Sequence, residues 1–259
     1  SLCIFDFDKT DNNIFLKNSS KIKNLILAKN NLTTEFLIKH FHFNLFTFLE
    51  ILDLSQNILD SIPEESLNFN RGLKNLNLSH NFIKLISTNL LVIYNDLSFN
   101  KIETIRNNKE KTFVYLVLSY KNNQLNKFDF SFLEHEGSLE YLDLSFNSIK
   151  TIFGFNNEFN SGLIHLNMRQ NYLEILPNNL LINFIDLQRS NRSKLDLSSN
   201  RLELLEKFCL RNLFNLLYLN LSNNNLSFLD EHLFKDTNRL VQLDLSQNNF
   251  KFIRNLTLS

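Results

Sequence analysis

A nine-residue phrase with three aliphatic positions and a final asparagine recurs along the chain and limits the folds available to it. Its clearest copy is Leu49–Asn57, with the pattern L-x-x-L-x-L-x-x-N. Other close copies are Leu73–Asn81, Leu139–Asn147, Leu163–Asn171, Leu216–Asn224 and Leu240–Asn248, and looser copies end at Asn30, Asn100, Asn123 and Asn200. These ten asparagines are separated by 27, 24, 19, 23, 24, 24, 29, 24 and 24 residues. A period of this length predicts a solenoid with one coil per repeat.

The L-x-L part of each phrase predicts a short strand with one buried and one exposed face. Leu52 and Leu54 would point inward, and their neighbours would face solvent. One repeat cannot bury its own apolar side, so successive repeats must stack around a shared core. We therefore predict an α/β-type repeat fold, a curved horseshoe. It would have a parallel sheet on its concave side and loops, turns and single helical turns on its convex side.

The repeated asparagine is predicted to satisfy backbone groups where the chain turns after each strand. Its amide both donates and accepts, so it is expected to bind its own turn and the next repeat. Leaving such buried groups unpaired would cost about 1–3 kcal/mol each. This structural ladder consists of Asn57, Asn81, Asn147, Asn171, Asn200, Asn224 and Asn248.

Two intervals depart from the regular period. The short one, residues 81–100, predicts a shortened repeat with Asn95 at an inward leucine position. The long one, residues 171–200, is explained either by a loop that bulges from the solenoid or by a piece of a repeat missing from the sequence. The predicted array of about ten repeats spans residues 22–259.

The 24-residue unit, with Leu67, Leu210 or Phe234 on its outer side, resembles the typical class of leucine-rich repeats. That class is found in Toll-like receptors, chaoptin-like adhesion proteins and related cell-surface molecules. The resemblance implies a fragment of a receptor ectodomain that binds a protein, glycan or microbial ligand, with homodimerisation as a further arrangement. It also implies that residues 1–21, with Cys3, are the remnant of an N-terminal cap. A membrane would be contacted only through a segment outside this chain.

Composition and sequons bear on partners and compartment. The formal net charge is zero, which argues against nucleic acid as a partner. N-glycosylation sequons predict an extracellular or cell-surface location. Because Asn-Leu-Ser is itself part of the repeat, a cytoplasmic scaffold or regulatory protein is the alternative. The candidate glycosylation sites are Asn18, Asn31, Asn77, Asn191, Asn220, Asn225 and Asn255.

The solvent-facing positions of the strands are the expected binding surface of a solenoid. Alignment of the repeats places many aromatic residues there, and Tyr is enriched at interface hot spots. In the fifth repeat the alignment assumes an insertion, which places Tyr115 and Tyr120 on this surface. An acidic column, with Asp53 and Asp96 among its members, could recognise a basic partner, although alternating Asp and Asn is also common in such repeats. The predicted ligand-binding residues are Tyr94, Phe99, Tyr115, Tyr120, Tyr141, Phe146 and His165.

A catalytic reading is disfavoured. Asp6-Phe7-Asp8-Lys9-Thr10 resembles the D-x-D-x-T signature of haloacid-dehalogenase-like hydrolases, in which the first Asp is the nucleophile. The first repeat begins at Ile22 and leaves no room for the sheet that this chemistry needs. His40 and His42 lack the accompanying ligands of a metal site. We therefore predict a binding protein with no enzymatic activity, cofactor or metal.

Overall fold

The structure is a computed structural model that describes residues 19–41, 43–62, 67, 70–87, 94–106, 116–133, 139–154, 162–176 and 192–251. It divides into two compact units, residues 1–119 and 120–259. Each unit is a solenoid in which successive repeats contribute one main strand each, paired in parallel.

In the first unit, five main strands lie in chain order and in parallel register, so that Leu52 pairs with Leu25 and Leu76. They are β1 (Asn24–Ile26), β2 (Ile51–Asp53), β3 (Asn75–Asn77), β5 (Tyr94–Asp96) and β7 (Val117–Ser119), while β4 (Leu85–Ser87) and β6 (Thr104–Arg106) form a separate parallel pair.

The helices of the first unit are short. Helix α1 (Thr34–His40) begins after Thr33, whose Oγ1 accepts a hydrogen bond from the Phe36 backbone N–H at 3.0 Å. Single 3-10 turns lie at Ser19–Lys21 and Phe43–Leu45. No helix in the described part of the chain is both long and apolar enough to cross a membrane.

The second unit repeats this plan. Its main strands, again parallel and in chain order, are β9 (Tyr141–Asp143), β11 (His165–Asn167), β12 (Ser193–Asp196), β13 (Leu216–Asn220) and β14 (Gln242–Asp244). A second parallel pair is formed by β8 (Lys127–Asp129) and β10 (Thr151–Phe153), and a 3-10 turn follows at Phe130–Leu133.

The inward positions of the repeated phrase form the core of each unit. Leu52 and Leu54 are fully buried, as are their equivalents Leu142 and Leu144. The side chain between them points to the opposite face of the strand, where Asp53 is half-buried and Asp143 is buried. Stacking these leucines on those of the neighbouring repeat removes their apolar surface from water, which is the main stabilising contribution in such a fold.

The outer, return segments contain more strand than the sequence indicated. Besides turns and 3-10 helices they hold the pairs β4–β6 and β8–β10. In the second pair Phe128 and Ile152 are buried while Lys127 and Thr151 are exposed. The return segments therefore use the same alternation as the main strands, over only three residues each.

Each ladder asparagine joins its own turn to the preceding repeat. The Oδ1 of Asn81 accepts from the Leu59 N–H at 3.0 Å, and its Nδ2 donates to the backbone oxygens of Leu54 and Leu78, both at 3.0 Å. The expectation that the amide binds the next repeat was wrong in direction. The link between two repeats is made by the asparagine of the following one, since Asn100 Nδ2 donates back to Leu78 O at 2.9 Å.

The strands on either side of each irregular interval are direct neighbours. Strand β3 pairs with β5, as expected for one shortened repeat in the interval 81–100. Strand β11 pairs with β12, with His165 opposite Lys194, and the Leu173 N–H donates to Asn200 Oδ1 at 3.0 Å. The choice between a bulging loop and a missing piece of a repeat in the interval 171–200 falls on residues 177–191, which lie outside the described ones.

Asn95 is a polar residue in the leucine column, and its replacement should stabilise the protein. It is buried, it pairs with Leu76 and Leu118 on the adjacent strands, and its Oδ1 has no hydrogen-bond partner within the described residues. We expect Asn95→Leu to raise the free energy of unfolding by about 1–2 kcal/mol, because it removes an unsatisfied buried group and adds apolar contact. A urea titration measures this, and a lower midpoint for the variant would contradict it.

Candidate functional site

The solvent-facing side of the main strands, called here the strand face, is the candidate site. Its first column holds the residue six positions before each of the ten repeated asparagines, and its second column holds the residue four positions before each of them. Parallel register aligns each column across neighbouring strands. The first column reads Asn24, Ile51, Asn75, Tyr94 and Val117 in the first unit, and Tyr141, His165, Lys194, Tyr218 and Gln242 in the second.

Five of the seven predicted binding residues lie on the solvent-facing side of the repeats, Tyr94, Tyr141 and His165 in the first column and Phe99 and Phe146 directly before the repeated asparagine. Tyr94 and Phe99 are well exposed, at 42% and 43% of their accessible surface. Tyr141, Phe146 and His165 are half-buried. Tyr115 lies outside the described residues.

The prediction that Tyr120 faces solvent was wrong. Tyr120 is buried in the core of the second unit, where its ring meets the edge of Phe128 at 6.5 Å, and this burial raises its pKa. The fifth repeat contains no insertion, since Val117 pairs with Tyr94 and Leu118 with Asn95. Tyr120 therefore takes the second inward position of its repeat, which is a leucine in most others. The earlier L-x-L at Leu116 and Leu118 made a register shifted by two residues look equally good.

In the second unit the first column forms a row that contains two pairs of touching side chains. The rings of Tyr141 and His165 meet edge to face at 5.7 Å, and the Lys194 ammonium lies 4.8 Å from the centre of the Tyr218 ring. Lys194 and Tyr218 belong to the same alignment as Tyr141, but the prediction followed only the local aromatic cluster and missed them. Cation–π contacts of this kind hold a long lysine side chain in place.

Two members of this row have shifted acidities. Partial burial raises the pKa of Tyr141 to about 12, and the neighbouring Asp143 carboxylate, 3.2 Å from the phenol oxygen, adds to the effect. Burial lowers the pKa of His165, and Lys194 also lowers it, against the opposing effect of the Arg192 carbonyl 2.9 Å from Nε2. Tyr141 is therefore a neutral phenol at ordinary pH. The contact between His165 Nε2 and the Arg192 carbonyl requires a proton on that nitrogen, because a carbonyl oxygen only accepts.

The first unit carries a second aromatic contact at the margin of the strand face. His80 and Phe99 stack at 4.2 Å with ring planes 8° apart. Both precede a ladder asparagine, where the backbone is left-handed with φ of 55°. This conformation is unfavourable for a residue with a Cβ, and it recurs at the same position of other repeats, as at Gln56 and Gln170.

The second column is mainly a structural feature. The Oδ1 of Asp53 accepts from the Ser55 N–H at 2.9 Å, and the Oδ1 of Asn77 accepts from the Ser79 N–H at 3.0 Å. Asp96, Asp143, Asn167, Asp196, Asn220 and Asp244 make the same bond to the residue two positions later. The column thus caps the strand ends with either residue type through one side-chain oxygen. The second oxygen of Asp53 and Asp96 has no partner among the described residues, whereas that of Asp143 accepts from the Tyr141 hydroxyl.

Beside the first column of the first unit lies an exposed charged triad. Glu50 binds Lys23 at 3.0 Å and Lys74 at 2.8 Å. The hydrogen bonds from these two ammonium groups lower the pKa of Glu50 to about 2. The three side chains belong to consecutive repeats, and the two ion pairs join these repeats at the edge of the strand face.

The sequons fall into two structural groups. Asn31 and Asn225 directly follow ladder asparagines and are exposed. Asn77 and Asn220 lie half-buried in the second column, where their Oδ1 atoms also accept from the hydroxyls of Ser79 and Ser222. Asn18, Asn191 and Asn255 lie outside the described residues.

The remaining reactive groups do not converge. No cluster of three or more His, Cys, Asp or Glu suitable for a metal occurs in the described part of the chain. Cys209 is buried, and burial raises the pKa of its thiol to about 12, so the nucleophilic thiolate is suppressed. The residues of the D-x-D-x-T motif, and His42, lie outside the described ones.

Comparison with known proteins agrees with this geometry. Leucine-rich-repeat family models match residues 138–159 and 191–250. The chain has the leucine-rich-repeat fold. This fold is typical of protein–protein interaction domains, because its stacked strands present a long binding surface. No curated protein matches the chain at a significant level of sequence similarity.

Several solved leucine-rich-repeat structures are similar to the chain. The glycosylated Toll–Spätzle complex of Drosophila matches with a TM-score of 0.73 and 19% identity, over 92% of this chain and 33% of that one. A leucine-rich-repeat protein of Leptospira interrogans matches with a TM-score of 0.67 and 20% identity, over 92% and 64%.

A third match is the ectodomain of the plant membrane receptor kinase GASSHO1/SCHENGEN3 from Arabidopsis thaliana. It has a TM-score of 0.54 and 24% identity, over 88% of this chain and 27% of that one. The chain therefore spans less than two thirds of the length of each of these three structures. At sequence identities this low, the similarity to these structures shows a shared fold alone.

Proposed function

We propose that this chain is a recognition domain of the extracellular, receptor-like type, whose strand face binds a protein partner. The observation that carries the proposal is the set of aromatic side chains standing in the first column. Tyr94 and Tyr218 are 42% and 36% exposed, and Tyr141 is half-buried. Exposed aromatic side chains on a rigid surface are the usual anchors of protein interfaces.

The extracellular part of the proposal draws on the sequons and on the solved structures. Asn31 and Asn225 are exposed, so a glycan on either would leave the packing of its unit intact. One of the similar structures is an ectodomain of a membrane receptor kinase, and another is a glycosylated complex. Endoglycosidase treatment of the natively produced protein is expected to lower its mass. An unchanged mass would favour the cytoplasmic scaffold instead.

Binding rather than catalysis is the proposed activity. The strand face offers amides and carboxylates that already bind backbone groups, as Asp53 and Asn77 do with Ser55 and Ser79. Such groups suit recognition, because their positions are set before a partner arrives and little entropy is lost on binding.

The binding proposal predicts that substitutions on the strand face weaken the binding of a protein partner, whereas control substitutions elsewhere leave its affinity unchanged. The chain is first screened against secreted proteins and glycans of its source organism and against itself. The double variant Tyr141→Ala/Tyr218→Ala should then bind the protein partner about 30-fold more weakly, equivalent to about 2 kcal/mol. Biolayer interferometry measures the affinity, and circular dichroism checks the fold.

The matched control is Leu204→Ser/Phe228→Ser, which changes two exposed side chains on the return segments of the same unit. Its affinity should equal that of the unmodified chain. Equal loss in both double variants, or none in either, would contradict binding through the strand face. If the chain binds only glycans, or only a second copy of itself, the proposal of a different protein as its partner would be wrong.

A further inference from the structure

A groove lies on the strand face of the first unit. It has a volume of about 380 Å³ and runs across strands β2, β3, β5 and β7. Its apolar lining comes mainly from Ile51, Tyr94 and Val117 in the first column and from the exposed Ile26 in the second. The groove thus crosses several repeats, and its volume suits a few side chains of an extended polypeptide rather than a whole folded domain.

The charges that line this groove are acidic. Asp53 and Asp96 are its charged lining residues. In each, Oδ1 accepts from the serine N–H two positions later at 2.9 Å, and no described residue binds the other oxygen. The lysines at the nearby edge, Lys23 and Lys74, are bound to Glu50. The groove therefore presents two carboxylate oxygens to an incoming ligand and disfavours phosphate or other anionic groups.

The spacing of these carboxylates sets the spacing of a complementary ligand. Asp53 and Asp96 lie on β2 and β5, which flank β3. Two strand spacings amount to about 10 Å. A polyproline-type chain advances about 3.1 Å per residue with three residues per turn, so a chain crossing the strands covers this distance in about three residues and brings every third side chain to the same face.

We propose that this groove binds an extended polypeptide segment that carries basic side chains about three residues apart, with apolar side chains between them. The basic groups meet Asp53 and Asp96, and the apolar ones pack on Ile51, Tyr94 and Val117. This inference rests on the proposed function, since it specifies the partner for one part of the same strand face.

Three labelled synthetic peptides test the charge requirement. Each contains four repeats of a triplet, Lys-Leu-Ser, Gln-Leu-Ser or Glu-Leu-Ser, and binding is followed by fluorescence anisotropy. The lysine peptide is expected to bind at least about tenfold more tightly than the glutamine peptide, and this advantage should shrink at high salt because charges are screened. Equal or tighter binding of the glutamine or glutamate peptide would overturn the proposal.

Asparagine substitutions test the site itself. Asp53→Asn/Asp96→Asn removes both charges while keeping the strand-end bond, since Asn77 in the same column makes it to Ser79 at 3.0 Å. The lysine peptide should bind this variant at least about fivefold more weakly. The matched control is Asp196→Asn/Asp244→Asn, in the second column of the other unit, and it should bind as the unmodified chain does. Equal loss in both variants would indicate diffuse attraction and overturn the proposal.

The same variants separate this inference from the function on which it rests. A natural protein partner that is lost with Tyr141→Ala/Tyr218→Ala but not with Asp53→Asn/Asp96→Asn would leave strand-face recognition standing and overturn the basic-segment proposal. A lysine peptide that binds the groove of a chain with no protein partner would support the groove and contradict the wider function.

Discussion

Replacing Asn147 by alanine is expected to lower the free energy of unfolding by about 3 kcal/mol or more. Its buried amide accepts from the Leu125 N–H at 3.0 Å and donates to the backbone oxygens of Tyr120 and Leu144 at 2.9 and 3.0 Å. Alanine leaves the Leu125 N–H without its partner, which costs about 1–3 kcal/mol. The two carbonyls keep hydrogen bonds from other repeated asparagines, but each loses one bond worth about 1 kcal/mol. Urea denaturation followed by circular dichroism measures the change.

The matched control is Asn248→Ala. Asn248 makes the same contacts, with Leu226 N at 3.0 Å and with Leu221 O and Leu245 O at 2.9 and 3.0 Å, but it is only half-buried. Water can replace its amide, so we expect a loss of about 1 kcal/mol. Similar losses at both positions would show that burial does not set the strength of the ladder.

Replacing Phe128 by alanine is expected to cost about 3–5 kcal/mol of unfolding free energy, the usual range for a buried phenylalanine. Its side chain is almost fully buried beneath the outer pair of strands, where its ring packs edge to face on Phe130 at 4.8 Å and near Tyr120. The loss combines the removed apolar surface with the cavity that the neighbouring rings cannot fill.

Phe153→Ala is the control for that substitution. Phe153 lies on the partner strand β10, opposite Asp129, but its side chain is 39% exposed. We expect a change below about 1 kcal/mol, as for most surface positions. Thermal and urea denaturation of both variants distinguish them, and equal destabilisation would show that the outer strand pair does not separate buried from exposed faces.

The repeat architecture was predictable because it depends on periodicity. Leucines at fixed intervals must be buried somewhere, and a single coil cannot bury them, so stacking follows from the pattern alone. The same reasoning identified the turn positions of Asn81 and Asn147, since a conserved spacing within the chain places an amide at every strand end.

The candidate site was only partly predictable. Tyr141 and His165 were placed correctly because unambiguous L-x-L phrases fixed their register. Tyr94 was placed correctly because Leu97 and Asn100 fixed the register of a repeat that has Asn95 at the first inward position. Tyr120 was misplaced because its repeat offers two overlapping phrases, and local sequence does not distinguish them. Contact between Lys194 and Tyr218 was missed because it joins residues 24 positions apart that are neighbours only once the coils stack.

By itself, the sequence of this protein determined that it forms coils, which residues each coil buries and where each coil turns. Only the tertiary structure decided the register of the fifth repeat, the direction of the asparagine ladder and the presence of an acidic groove on the first unit. The physical reason is that burial is encoded by residue type and spacing, whereas hydrogen-bond partners and the composition of a surface depend on which residues of neighbouring coils lie side by side.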